Sequence, residues 1–550
     1  MICTLSTFAT DYFVATVANG GSNANTGLAG QPWATLAYAC SQVSAGSHTI
    51  NVGVGTFTEN TAMSLATGVS IMGADSSTTT VTTFYNNGSP TSHTAALIIL
   101  SSGTVNTNGS QSISNIKFNG NGVCNLAISV NNRSNVTINK CAFDGFVRAA
   151  IVFISPINTE TYGELPYSIG NTISNIRMTN CATYNSYPQG ITIQGQDQFV
   201  LSGCKLVDNR NGSSGADLIN SKANKRWYIH HNVFRKEPKV SGVWGFAFEI
   251  RWNYGECRFE DNDVQGIADF CWNYVQGYAY SILVQNNFFG FDVLKAGYND
   301  GIQFEAYTSK IIVRYNYIKN VSTGITWVPA DLAGGGIAND NLIHNNLLTN
   351  IGQTTTPAPG NYSVGIGFYT SSITTAETRR LYIYNNTIEG GTYSRDGIWF
   401  GRVSQYHQLY VRNNIVKDFI NSPLHCELGA GKVAGTDLNI DSLYIQNNNF
   451  FGNGNTNLQL YTGITPSNPH VDNNITTNPL FVGGGNYRLQ STSLAINAGL
   501  NVGLTTDITG YPVSGNPDIG AYKYYAASPS GKVGTFNDKV GTYNNKVVQY

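Results

Sequence analysis

The chain has 550 residues, of which only 11% are charged, with 31 basic against 32 acidic side chains and a net charge of -1. A typical soluble chain carries about 25% charged residues, so polarity here rests on Asn, Thr, Ser, Gly and Tyr, the residues of strands and tight turns. The lack of a basic surplus argues against a nucleic-acid binder, and no run of about 18 apolar residues marks a membrane span.

The opening MICTLSTFATDYFVATVANGG has neither a basic n-region nor a continuous apolar h-region, so it does not read as a secretory signal. A protein working outside a cell would then need another carrier, such as a virus particle. Residues 1–60 read as a cap and first strands. Within them stand the segments Gln31-Pro32-Trp33-Ala34-Thr35-Leu36 and Gly55-Thr56-Phe57-Thr58-Glu59.

Residues 61–470 carry a repeat, apolar-x-apolar-x-x-(Asn/Cys)-x-apolar. Its anchors are Cys141, Cys181, Cys204, Asn232, Asn262, Asn287, Asn316, Asn346, Asn386, Asn414 and Asn448, with gaps of 40, 23, 28, 30, 25, 29, 30, 40, 28 and 34. Three short strands and three turns fill the shorter gaps, and the gaps of 40 must also hold loops. The period predicts an all-β, right-handed parallel β-helix. Rungs stacked about 4.8 Å apart align the anchors into an internal Asn/Cys ladder. The odd count of nine Cys, spread from Cys3 to Cys426, is then ladder filling with inert buried thiols and not a disulfide framework.

A second column lies upstream of the ladder: GITIQG (190–195), AFEIRW (247–252), GIQFEA (301–306), GIGFYT (365–370) and GIWFGR (397–402). Strand alternation puts Thr192, Gln194, Glu249, Arg251, Gln303, Glu305, Tyr369 and Trp399 on one outer surface. Five of the seven Trp fall between Asp217 and Trp327. Trp227, Trp244, Trp252, Trp272 and Trp327, with Trp399 and Gln303, are the candidate carbohydrate-binding set, because aromatic faces stack on sugar rings. Two carboxylates, Glu249 and Glu305, are a candidate hydrolase pair if one rung separates them. His230 and His231 precede a ladder Asn; as neighbours on a strand they should face opposite ways and serve no common metal.

Residues 471–524 form a closing segment with Asn478-Pro479-Leu480-Phe481, Tyr487-Arg488-Leu489, Ser493-Leu494-Ala495-Ile496-Asn497-Ala498-Gly499 and Pro517-Asp518-Ile519-Gly520-Ala521-Tyr522. Residues 525–550 repeat KVGTFND, KVGTYNN and KVVQY, a pattern without a coiled-coil seam that suits β-pairing in assembly or attachment.

The N-terminal and closing motifs together, over about 11–524, resemble the pectin-lyase-like right-handed β-helix family. That resemblance implies the fold, a helix over about 33–43 opened by residues 31–36 and capping the open end, and a strand ending in residues 55–59, and it leaves function open. Asp217-Leu218-Ile219-Asn220-Ser221-Lys222, followed by Ala247-Phe248-Glu249-Ile250-Arg251, resembles the alginate and chondroitin lyases of the β-helix type. The resemblance implies Lys222 as base, Arg251 as assisting cation, and calcium held by Asp217 and Glu249 to neutralise a uronate carboxylate. The chain departs from that pattern in having Asp217 where the family commonly has Glu, and in the extra loop RKEPKVSGVWG. Viral tailspikes are a further resemblance.

Three functions fit these features. One is a spike or fibre protein, extracellular or on a virion surface, that recognises a polysaccharide or cell-surface glycan with or without cleaving it. Another is a secreted polysaccharide lyase or hydrolase. The third is a structural filament or decoration subunit. A homo-oligomer such as a trimer, or docking to a larger assembly through 525–550, is expected.

Overall fold

A computed structural model describes residues 9–526 except 87–94, 156–165, 182–188, 209–216, 237–245, 271–277, 294–298, 306, 329–336, 353–362, 369–376, 402–404, 428–438, 456–457 and 461–468. The chain divides into two compact units, Met1–Glu237 with Val243–Glu249, and Pro238–Gly242 with Ile250–Tyr550. Each unit is a right-handed parallel β-helix.

In the first unit, short apolar-alternating strands stack on three faces. One face runs through Leu126–Asn131, β1 (Ala149–Ile154), β2 (Gln189–Gln194) and β3 (Asp217–Lys225). The second runs through Arg133–Asn139, Thr172–Ser174, Val200–Ser202 and Tyr228–His230. The third runs through Lys117–Asn119, Ala142–Asp144, Arg177–Thr179, Lys205–Asp208 and Val233–Lys236. Alternation sends Ile128, Ile151, Ile191 and Ile219 into the core in register, all buried. Phe118 stacks on Phe143 at 5.4 Å.

The helix α1 (Leu36–Gln42) follows the first strand, Asp11–Val14, and starts three residues later than the motif suggested, because Thr35 is extended and caps it by accepting from Tyr38 N–H. The carboxylate of Glu59 accepts from the N–H groups of Leu36 (2.5 Å) and Ala37 (3.2 Å). The strand motif ending in Glu59 therefore supplies the second cap of the helix that closes this end.

In the second unit the faces are Asp300–Glu305, Thr323–Val328, Val364–Phe368, Asp396–Gly401 and Ser422–Glu427; then Ile312–Arg314, Asn341–His344, Glu377–Tyr384, Gln405–Arg412 and Asn439–Gln446; then Tyr317–Lys319, Leu347–Ile351, Thr387–Gly390, Ile415–Lys417 and Asn449–Phe451. The ladder lies at the turn between the last two. The Nδ2 of Asn262 donates to Oδ1 of Asn287 at 3.1 Å, and the links through Asn316, Asn346, Asn386, Asn414 and Asn448 to Asn474 are each 3.0 Å. Asn474 extends the ladder one rung past its expected end.

In the first unit, the backbone N–H of Cys204 donates to Oδ1 of Asn232 at 3.0 Å. The thiols of Cys141, Cys181 and Cys204 donate to the carbonyls of Asn139, Thr179 and Ser202, each two residues upstream. Ladder amides do the same: Asn287 donates to Gln285 and Asn346 to His344. Cys and Asn are thus interchangeable here because each offers a donor to that carbonyl. Burial pushes the thiols of Cys141 and Cys204 up to about 12, so they stay protonated.

The residue before each anchor carries the turn. Lys140, Asn180, His231, Asn286, Tyr315, Asn345, Asn385, Asn413 and Asn447 all have φ between 51° and 58°, a region Asn tolerates better than most residues. In the second unit these Asn also hold the closing segment. Asn345, Asn385, Asn413 and Asn447 donate to the carbonyls of Thr506, Asp518, Leu500 and Ala498 at 2.6 to 3.0 Å. Each of these four Asn-Asn pairs therefore divides its work, the first residue clamping the closing segment and the second building the ladder.

Candidate functional site

On the outer face of the first unit, the register aligns Ser129, Val152, Thr192 and Asn220 in one column, and Asn131, Ile154, Gln194 and Lys222 in the next. The face turns from apolar to polar between β1 and β2. The Thr192 hydroxyl donates to Gln189 Oε1 at 2.8 Å, and Gln189 stands in register with Asp217. Asn220 Nδ2 donates to Asp217 Oδ2 at 3.1 Å and to Glu249 Oε1 at 3.0 Å. Glu249 sits on β4 (Phe246–Tyr254).

Thr192, Asp217, Asn220 and Glu249 are buried, whereas Gln189, Gln194 and Lys222 are half-buried and form the rim. The structure therefore brings Asp217 and Glu249 together, and Asn220, absent from the candidate set, is what joins them. Its place on β3, at odd spacing from Asp217 and even spacing from Lys222, was visible. Its role was not, because Asn is common throughout the chain.

Two carboxylate oxygens that share one donor lie at most about 6 Å apart, a limit that reaches the roughly 5–5.5 Å spacing of retaining-glycosidase carboxyl groups. The amide, however, occupies the space between them. The same fact bears on calcium. Calcium requires six to eight oxygen ligands, and here the space between the carboxylates presents a nitrogen with its hydrogens. Among the described residues no group of three or more His, Cys, Asp or Glu side chains is placed to hold a metal. The pair does not fit the calcium site expected from Asp217 and Glu249.

Arg251 belongs to the second unit, while Lys222 belongs to the first. Glu249 and Glu305 likewise fall in different units. The backbone of Glu305 ends the strand Asp300–Glu305, and its side chain lies outside what the structure describes.

The tryptophan reading needs correction. Trp227, Trp252, Trp327 and Trp399 are all buried, so their faces are not open to a sugar. Trp227 packs edge-on against Phe248, and Trp327 stacks on Phe304 at 4.3 Å with its indole N–H on Thr308. These rings fill core because the solenoid interior demands volume. Trp399 takes the outer column, in register with Gly367 and His425, and Arg395 lies 5.5 Å from its ring. Gln303, in the same face, is buried too. Trp244 and Trp272 lie outside the described residues.

A second polar cluster surrounds Trp399. Asp396, fully buried, receives Arg395 Nε at 3.1 Å and His425 Nδ1 at 3.2 Å on one oxygen. Both partners are partly exposed. The sequence reading missed this cluster because its members lie 29 residues apart on successive rungs.

No family model matches the chain, and no curated protein matches it. The chain is similar to several solved structures. The A-module of a mannuronan C-5 epimerase from Azotobacter vinelandii matches at 11% identity over 74% of this chain and 92% of that one, with a TM-score of 0.34. XylC in complex with xylose matches at 8% identity over 94% and 98%, TM-score 0.41. The ORF18 protein of Geobacillus virus E2 matches at 10% identity over 68% and 62%, TM-score 0.37.

Proposed function

We propose that this chain recognises a polysaccharide along the outer face of its first unit, as an extracellular or virion-surface spike or fibre protein. The observation that carries the reading is the Asn220 amide shared by the buried Asp217 and Glu249. A buried polar network whose members satisfy one another is rigid, and here it underlies a rim of amide and ammonium groups, Gln189, Gln194 and Lys222. Such a rim offers donors and acceptors to sugar hydroxyls, and the half-buried Ile154, in register with Gln194, offers apolar contact to a ring face. Arg251 and Glu305 have no assigned part in it.

The amide between the carboxylates favours binding over cleavage, because it fills the place a glycosidic bond would need. Assembly through the repeats of 525–550 belongs to the same proposal; residues 527–550 lie outside the described residues.

The test is to incubate the full chain with a panel of neutral and acidic polysaccharides and measure both binding and product release. Binding without release supports the reading. Ultraviolet-absorbing unsaturated products that vanish in Lys222→Ala replace it with the lyase, and absence of any binding removes it.

A further inference from the structure

His230 ends a strand in the first unit, and His231 follows at φ 56. Had both residues been extended, their side chains would point to opposite faces. The left-handed turn at His231 reverses that expectation. The Nδ1 atoms of the two rings lie 2.7 Å apart, with ring centroids 5.0 Å apart and planes at 86°. Tyr228 stacks on the outer ring face of His230 at 4.0 Å and fixes its orientation. His231 is exposed and His230 half-buried.

We infer that His230 and His231 form a two-nitrogen site for a divalent transition-metal ion of the copper, nickel or zinc class. Imidazole nitrogens bind such ions at about 2.0–2.1 Å, and two of them in cis positions lie about 2.9 Å apart. The turn holds the pair close to that spacing before any ion arrives. At 2.7 Å only one of the two nitrogens can carry a hydrogen, donated to the other. The ion takes the place of that hydrogen: in a pair of neutral rings the hydrogen leaves Nδ1 and one returns at Nε2 of the same ring, so both rings are neutral ligands and no net proton is released. Water completes the coordination. This site is separate from the glycan face and does not depend on it.

The probe is copper(II) added to the full chain, read by calorimetry and by electron paramagnetic resonance. The expected result is one bound ion per chain with hyperfine structure from two nitrogens. His230→Ala and His231→Asn should each weaken binding at least about tenfold. Asn is chosen at 231 because it accepts positive φ and so preserves the turn. Unchanged affinity in both variants, with unchanged circular dichroism, would overturn the inference, as would a copper spectrum without two-nitrogen coupling.

Discussion

The side-chain amide of Asn220 reaches Glu249, 29 residues later in the chain, at 3.0 Å, while holding Asp217 on its own strand at 3.1 Å. Two buried carboxylates are costly unless hydrogen-bonded, and one amide serves both. That arrangement is the centre of the functional reading, and the rest of the fold presents it.

The ladder should be the main polar contribution to stability in the second unit. Asn386→Ala removes the acceptor of the Asn346 backbone and side-chain N–H groups and the donor to the Ile343 carbonyl. Leaving such buried groups unpaired is expected to cost about 3 kcal/mol, read as a lower urea midpoint.

The clamp can be separated from the ladder. Asn413→Gly keeps the positive φ that position 413 requires but deletes the bonds to the carbonyl and N–H of Leu500. We expect faster amide exchange across 498–520 with the ladder amides still protected. Equal loss of protection in both would contradict the division of labour within the four Asn-Asn pairs.

Cys141 and Cys204 should not react with thiol reagents in the native protein, since burial holds both protonated. Mass spectrometry after alkylation is expected to show them modified only once the chain is unfolded.

His344 is buried beside Arg314, and its pKa is pushed down to about 3, chiefly by burial. The unfolded chain therefore binds a proton that the folded chain refuses. The contribution of His344 is fully present above the ordinary histidine value of about 6.5 and is lost as pH falls from there toward 3. His344→Leu should flatten the stability profile across that window, measured as denaturation midpoint against pH.

Much of the fold was legible because the ladder needs one residue type at one spacing, which leaves a periodic trace from Cys141 to Asn448. The capping helix was legible in Thr35 and in the motif ending at Glu59. The site was harder to read. Alternation places Trp399 and Gln303 outward, yet both are buried, because a strand pattern gives direction and not cover. Trp327 falls in register with Phe368, on the inward parity of its strand, so clustering in sequence said nothing about its surface. His230 and His231 meet because the turn residue leaves the strand, which the alternation rule ignores.

The most direct measurement of the central claim is the affinity of the full chain for the tightest-binding polysaccharide of a panel, compared among wild type, Lys222→Ala and Asn220→Leu. The account predicts loss of about tenfold or more in both, with the Asn ladder and the melting of the second unit preserved. Wild-type affinity retained in both variants would contradict it.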